Sequence, residues 1–277
     1  MLRPIFFILL ILSLTSKTDL YGQEGKPIIG AKNAALGGHS TTLQDVFAVF
    51  NNPAGLSTLE GVNVGVYAEN RFLVEDLNLL GVGITLPSKN GSFGLGGTYF
   101  GNAAYSESYF TLAYSRLLSQ NLSIALDFDY VNLSIEEFGS TSAFTFGLGL
   151  QFSPSKNIDI GAHIHNPIRV SLIQDGSETM PSIIKIGLAY HPEGEGFTLF
   201  TEVEKDIDRS TILKFGLDYQ LIEKLSLRAG ISTNPAYSSF GLGLNLGSIM
   251  LDFANRFHPV LGYSPHISLI YQNKNTK

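Results

Sequence analysis

Between Val62 and Gln272 the chain repeats one unit fourteen times, about ten residues that alternate apolar with small or polar ones and then a turn. A period of two sends successive side chains to opposite faces of a strand, so each unit is oily on one face and polar on the other. Leu122, Ile124, Leu126, Phe128 and Tyr130 alternate with Ser123, Ala125, Asp127 and Asp129; Phe144, Phe146, Leu148, Leu150 and Phe152 alternate with Thr145, Gly147, Gly149 and Gln151. A soluble sandwich can alternate too, but it seldom sets an unbroken aromatic and aliphatic stripe opposite so much glycine and charge. The pattern predicts an all-β fold, a transmembrane antiparallel β-barrel of about 14 strands with lipid outside and a polar lumen.

Composition agrees. Charged residues make up 15% of the chain and glycines number 29, whereas about a quarter of an ordinary soluble domain is charged. Cysteine is absent, which excludes a disulfide framework, a thiolate metal site and a lipid-bearing cysteine. No window holds eighteen consecutive apolar residues after the N-terminus, so any membrane crossing must use strands. A net charge of -6 gives no phosphate-binding surface and argues against nucleic acid as a partner. At the N-terminus Arg3 precedes an apolar run over 5–14, then a polar stretch to Gly22. This predicts a signal peptide at 1–22, cleaved before Gln23. As a permanent anchor, a ten-residue run would be too short for roughly 30 Å of hydrocarbon.

The mature chain divides into an N-terminal segment at 23–60, a wall at 61–272 and a tail at 273–277. In the first part, residues 30–38 are small and loop-like. Residues 40–50 carry Leu43, Val46, Phe47 and Phe50 at helical spacing behind Thr41 or Thr42 as a cap, and predict a short helix that Pro53 stops. Strands are expected near 61–71, 79–87, 92–101, 106–117, 121–134, 142–153, 157–165, 181–191, 196–205, 210–219, 223–232, 237–246, 249–258 and 265–272. Short turns such as Lys89-Asn90-Gly91 alternate with longer connections at 72–78, 136–141, 166–180 and 259–264. Such barrels keep turns in the periplasm and loops outside. A fourteen-stranded lumen is wider than its own side chains fill, so the apolar-striped N-terminal segment is expected to plug it.

The N-terminal residues carry a resemblance. Gly30-Ala31-Lys32-Asn33-Ala34-Ala35-Leu36-Gly37-Gly38, then Asp45-Val46, then Asn52-Pro53-Ala54-Gly55-Leu56 resemble the start of the PorV/PorQ group, within the wider FadL-like outer-membrane barrels. The likeness continues through Glu69-Asn70-Arg71-Phe72 and covers nearly all of the mature chain. It implies a barrel plugged by its own N-terminus, in the bacterial outer membrane, with Gly37, Gly38, Asn52, Pro53, Ala54 and Gly55 as the plug motif. It also implies one of two roles. The leading expectation is a non-enzymatic accessory that docks cargo or envelope proteins in type IX secretion or surface assembly; the alternative is a transporter for a hydrophobic or small amphipathic solute. The chain is shorter than typical members and lacks the long hydrophobic loop insertions expected of a fatty-acid catcher.

If the alternation stays in phase, Glu69, Asp127, Asp129, Asp159, His163, His165, Lys185, Glu202, Glu204, Lys214, Asp218, Arg228, Asp252 and Arg256 face the lumen. Buried charges of both signs should pair, so they are expected to form a network that stiffens the wall and holds the plug. Asp159, His163, His165 and His191 have the chemistry of zinc ligands, but i, i+2 spacing on a strand spreads them, and hydrogen-bonded lumen histidines are expected instead of a metal. Serines are plentiful without a G-x-S-x-G elbow; no enzyme and no cofactor are expected. Gly81, Gly83, Gly94, Gly96, Gly147, Gly149, Gly241 and Gly243 lie on the inward face, where a second backbone can approach. In 71–77, Phe72, Leu73 and Val74 are expected to pack against neighbouring loops rather than form a patch.

Overall fold

The computed structural model describes residues 26–172 and 179–273. The expected signal peptide lies outside the described residues, as does the expected tail beyond Asn273. Every strand pairs antiparallel with its neighbour in sequence, and the first pairs with the last, so that fourteen strands close into a barrel. They are β1 (Asn63–Asn70), β2 (Asn78–Ser88), β3 (Gly91–Gly101), β4 (Tyr105–Ser119), β5 (Leu122–Ile135), β6 (Gly139–Ser155), β7 (Ile158–His165), β8 (Ile183–Tyr190), β9 (Phe197–Asp206), β10 (Ile212–Ile222), β11 (Leu225–Ser232), β12 (Tyr237–Asn245), β13 (Ile249–His258) and β14 (Gly262–Gln272). The seam runs from Asn63 opposite Gln272 to Glu69 opposite His266. Closure leaves no edge strand, as backbone in hydrocarbon requires.

Side chains follow the two-residue period. Phe110, Phe128, Phe144, Ile186 and Phe240 lie exposed on the outer face, while Thr111, Asp127, Asp129, Thr145, Glu202 and Lys214 are buried on the inner one. Several strands run longer than their sequence patterns, while β1, β8 and β11 run shorter. Ile135 pairs with Gly139 and His258 with Gly262, so the connections expected at 136–141 and 259–264 shrink to tight hairpins. Of the expected long loops, the β1–β2 connection at 71–77 and the β7–β8 connection remain. Wall height is uneven: β4, β5 and β6 have 15, 14 and 17 residues, whereas β7, β8 and β11 have 8 each.

Inside the ring lies the N-terminal segment. It carries α1 (Ala31–Ala35), α2 (Ala48–Asn51) and a 3-10 turn over Pro53–Thr58. Ile29, Val46, Phe47, Val49, Phe50 and Leu56 pack with Tyr67, Leu79, Ala113 and Ile270 of the wall in the main apolar core. The helix expected over 40–50 is not formed. Only Ala48–Asn51 is helical there, and the residues read as loop-like contain α1 instead. Ser40 and Thr41 donate their backbone N–H groups to Glu202, at 2.8 and 2.9 Å, and the Thr41 carbonyl accepts from Asn52 and Gln151. Side chains elsewhere in the molecule satisfy groups that a helix would have used. After α1, Gly37 and Gly38 take φ of 70 and 83°, the left-handed geometry that ends a helix cheaply with glycine.

Candidate functional site

The residues singled out in Asn52-Pro53-Ala54-Gly55 join the segment to one arc of wall. Asn52 Nδ2 donates to the Thr41 carbonyl at 2.6 Å and to that of Leu150 on β6 at 3.1 Å, while its Oδ1 accepts from Ala54 N at 3.3 Å. The Ala54 carbonyl then accepts from Ser115 on β4 and Ser123 on β5, at 3.2 and 3.0 Å. On the far arc, Gly37 N donates to Ser239 Oγ at 3.1 Å, and Lys214 donates to the Gly38 carbonyl at 3.0 Å. Glycine on the wall admits this packing. A Cβ on Gly94 would stand 2.6 Å from Leu56, and one on Gly241 would stand 2.6 Å from Ala35. Gly147 and Gly243 differ from the other inward glycines, because they face charged side chains of the wall itself.

Glu202 on β9 is the anchor of one charge cluster. Besides Ser40 and Thr41 it accepts from Lys214 Nζ at 2.8 Å, and Lys214 reaches Glu204 at 2.6 Å. Lys185 on β8 stands 3.6 Å from Glu204. His39 of the segment is fully buried beside them, its Nε2 2.7 Å from Thr42 Oγ1. Burial pushes the His39 imidazole down to about 4, against the pull of Glu202, with Lys214, Lys32 and Lys185 reinforcing the drop.

The other expected lumen residues fall into separate groups. Arg228 bonds Asp218 at 3.0 Å and also Asp252. Glu69 takes Arg71 Nε at 3.2 Å and the Tyr67 hydroxyl at 3.2 Å. Arg256 lies over the Tyr237 ring, 4.2 Å from its centre. Asp127 and Asp129 on β5 meet His163 and His165 on β7, at 3.2 and 3.3 Å, and Lys26 Nζ lies 2.8 Å from Asp129. Asp159, which the sequence grouped with these histidines, pairs with His191 at 2.8 Å and with Ser153 Oγ. Residues 159 and 163 share a face but stand at different heights on β7, so each takes its own partner across the strands.

Above the charges, at the loop end of the barrel, the inner face turns apolar. Tyr109, Val131, Leu133 and Ala143 of the tall β4–β6 arc pack with Leu172 and Met180 from the β7–β8 connection. Sequence reasoning passed over this cluster, although Val131 and Leu133 break the polar phase of β5. It also passed over Lys26, His39 and Gln151, whose partners are remote in sequence. On the outer face of the same arc, an apolar hollow of about 460 Å³ opens at Gly97. Val82, Leu95, Phe110, Leu112 and Phe128 line it, together with Thr111 and Asp129, whose side chains are buried on the lumen side. A mixed-charge hollow of about 550 Å³ opens at the turn end, between Lys32 and Asp45 of the segment and Asp218, Arg228 and Asp252 of the wall. In the 71–77 loop Phe72 donates its N–H to Ser264 at 3.0 Å and packs against His258, as local packing requires, but Leu73 and Val74 stand exposed.

No family model and no curated protein matches the sequence. Solved structures do match in shape. The Pseudomonas putida toluene transporter TodX superposes with a TM-score of 0.67 at 14% identity, over 88% of this chain and 98% of that one. A Pseudomonas aeruginosa FadL homologue gives 0.65 at 12%, over 89% and 98%. The monoaromatic hydrocarbon channel CymD gives 0.68 at 12%, over 90% and 98%. A closed barrel with an apolar outer face and a filled polar lumen, shaped like these, has the FadL-like outer-membrane fold and resides in the bacterial outer membrane.

Proposed function

We propose that the protein passes a hydrophobic or small amphipathic solute through the outer membrane, with the N-terminal segment as plug and a lateral exit through the β2–β6 arc. The observation that carries this reading is the apolar hollow at Gly97, on the outer face of the tall arc. A solute that partitions into hydrocarbon gains about 25 cal/mol for each Å² it hides from water, so a sideways route into lipid is favoured over an aqueous pore. The apolar cluster of Tyr109, Val131, Leu133 and Met180 would receive the solute above the charged layer. TodX and CymD are described as a toluene transporter and a monoaromatic hydrocarbon channel, which supports this role over secretion. The test is uptake of a labelled monoaromatic and of a labelled fatty acid by cells carrying Gly97→Phe. A Cβ there would stand 3.8 Å from Phe110 and Val82 carbons, so the wall accepts the change while the hollow fills. Uptake of one solute class should fall several-fold; uptake equal to wild type for both, with deletion of the gene also silent, would overturn the reading.

A second reading, docking of cargo or envelope proteins as in the PorV/PorQ group, draws on the loop end. Phe138 is 87% exposed and Val260 84% exposed at two hairpin tips, where water, not lipid, is the expected neighbour. Purification in mild detergent separates the two, since docking predicts a stoichiometric protein partner and transport predicts a bound lipophile.

A further inference from the structure

We propose that Asp127, Asp129, His163 and His165 form a divalent-cation site of zinc-like preference inside the lumen, for which Lys26 is a tethered competitor.

Three adjacent strands build the site over neighbouring levels of the register. Asp127 on β5 stands opposite Gly147 on β6, and Gly147 stands opposite His165 on β7. The glycine leaves a cradle between them, because a Cβ there would lie 2.6 Å from Asp127 Oδ2 and 2.9 Å from His163 Nε2. Asp127, Asp129 and His165 each offer a ligand atom, all within 4.8 Å of one another. Four donors around a zinc ion lie about 3.4 Å apart when each bond is about 2.1 Å, so side-chain rotations of modest size would close the shell. His163 Nε2 lies outside that group of three, 3.2 Å from Asp127 Oδ1, and would have to swing toward it to supply the fourth donor. Two imidazoles and two carboxylates are a set that zinc accepts.

Two of these donors lack what burial demands. Asp127 Oδ2 and His165 Nδ1 are buried with no hydrogen-bond partner; His165 Nδ1 is 3.3 Å from Asp129 Oδ2 without the alignment of a bond. A buried carboxylate oxygen left unpaired is costly. One ammonium, Lys26, faces two carboxylates, and its contact is with Asp129 alone, at 2.8 Å. Thr111 Oγ1 donates to the other Asp129 oxygen. A formal charge of about -1 therefore remains when the histidines are neutral, and a divalent ion that displaced the lysine would cancel both carboxylates. Lys26 belongs to the N-terminal segment, so the ion and the start of that segment compete for one place.

The experiment is calorimetric titration of zinc chloride into the detergent-purified full-length protein at pH 7.5. Wild type should bind one ion per chain, Lys26→Ala at least tenfold more tightly, and Asp127→Asn or Asp129→Asn at least tenfold more weakly. Asp159→Asn, which alters the separate group of Asp159, His191 and Ser153, should match wild type. Because an aspartate variant could disturb assembly, cobalt(II) provides a check on folded protein: wild type and Lys26→Ala should show the visible bands of a four-coordinate nitrogen and oxygen site, and His165→Ala should lose them. Absence of stoichiometric zinc from both wild type and Lys26→Ala overturns the proposal. So does a cobalt spectrum unchanged in His165→Ala, or a Lys26→Ala affinity no higher than wild type.

Discussion

The wall and the segment it encloses obey different rules. Wall strands satisfy their backbone with the next strand, so only side-chain polarity chooses which face turns inward, and a two-residue rhythm suffices. In the enclosed segment, backbone groups bond to side chains such as Glu202, Asn52, Gln151 and Ser239, and its conformation depends on residues as much as 237 positions away. The lesson is that a barrel of this width supplies the interior partners that its plug lacks by itself.

The largest test of that difference is Glu202→Leu. It strips Ser40, Thr41 and Lys214 of their common acceptor, and breaking a buried pair from one side costs about 3–5 kcal/mol. The loss should fall on the segment: limited proteolysis should cut within residues 26–60 while the closed barrel still migrates as the compact form on an unboiled gel. If wall and segment fail together, the distinction between them is wrong.

Phe128→Arg attacks the other member of the comparison. Phe128 is 54% exposed on the outer face, and arginine near the bilayer midplane costs roughly 2–4 kcal/mol. Assembly into membranes should drop, as read by the fraction of heat-modifiable protein, whereas Phe138→Arg at a loop tip should leave that fraction unchanged.

Acid should loosen the segment before the wall. His39 is held near 4 in the docked state against an ordinary value near 6.5, so the undocked form binds more protons between those limits. Docking is at full strength above about pH 6.5 and weakens as pH falls toward 4, by roughly an order of magnitude at pH 5 from this group. Hydrogen exchange of residues 36–42 should accelerate over that interval, and His39→Gln should flatten the response. The smallest effect is expected for Leu73→Ser, an exposed loop change within about 0.5 kcal/mol of wild type in chemical unfolding.

The strands were legible because each carries its own alternation; β7 and β13 were found to within a residue, at Ile158–His165 and Ile249–His258. The ends of β6 and β14 were not. Gly139, Ser140 and Thr141, like Gly262 and Tyr263, read as loop by composition, yet pairing across a tight hairpin draws them into the sheet. The lumen charges were legible as a set and illegible as pairs, since the two-residue period gives the face of Asp159 or His163 but not its height against the next strand. Lys26 and His39 carried no local signal at all.

What the amino-acid sequence determined by itself was the barrel, its strand number and which side chains turn inward, because an alternating strand has one low-energy way to divide oil from water. Tertiary structure alone decided the path of the enclosed segment, the splitting of the charges into clusters, and the meeting of two aspartates, two histidines and a lysine around Gly147. Those outcomes follow from strand register and from the satisfaction of buried polar groups at long range, and neither is written in any short stretch of chain.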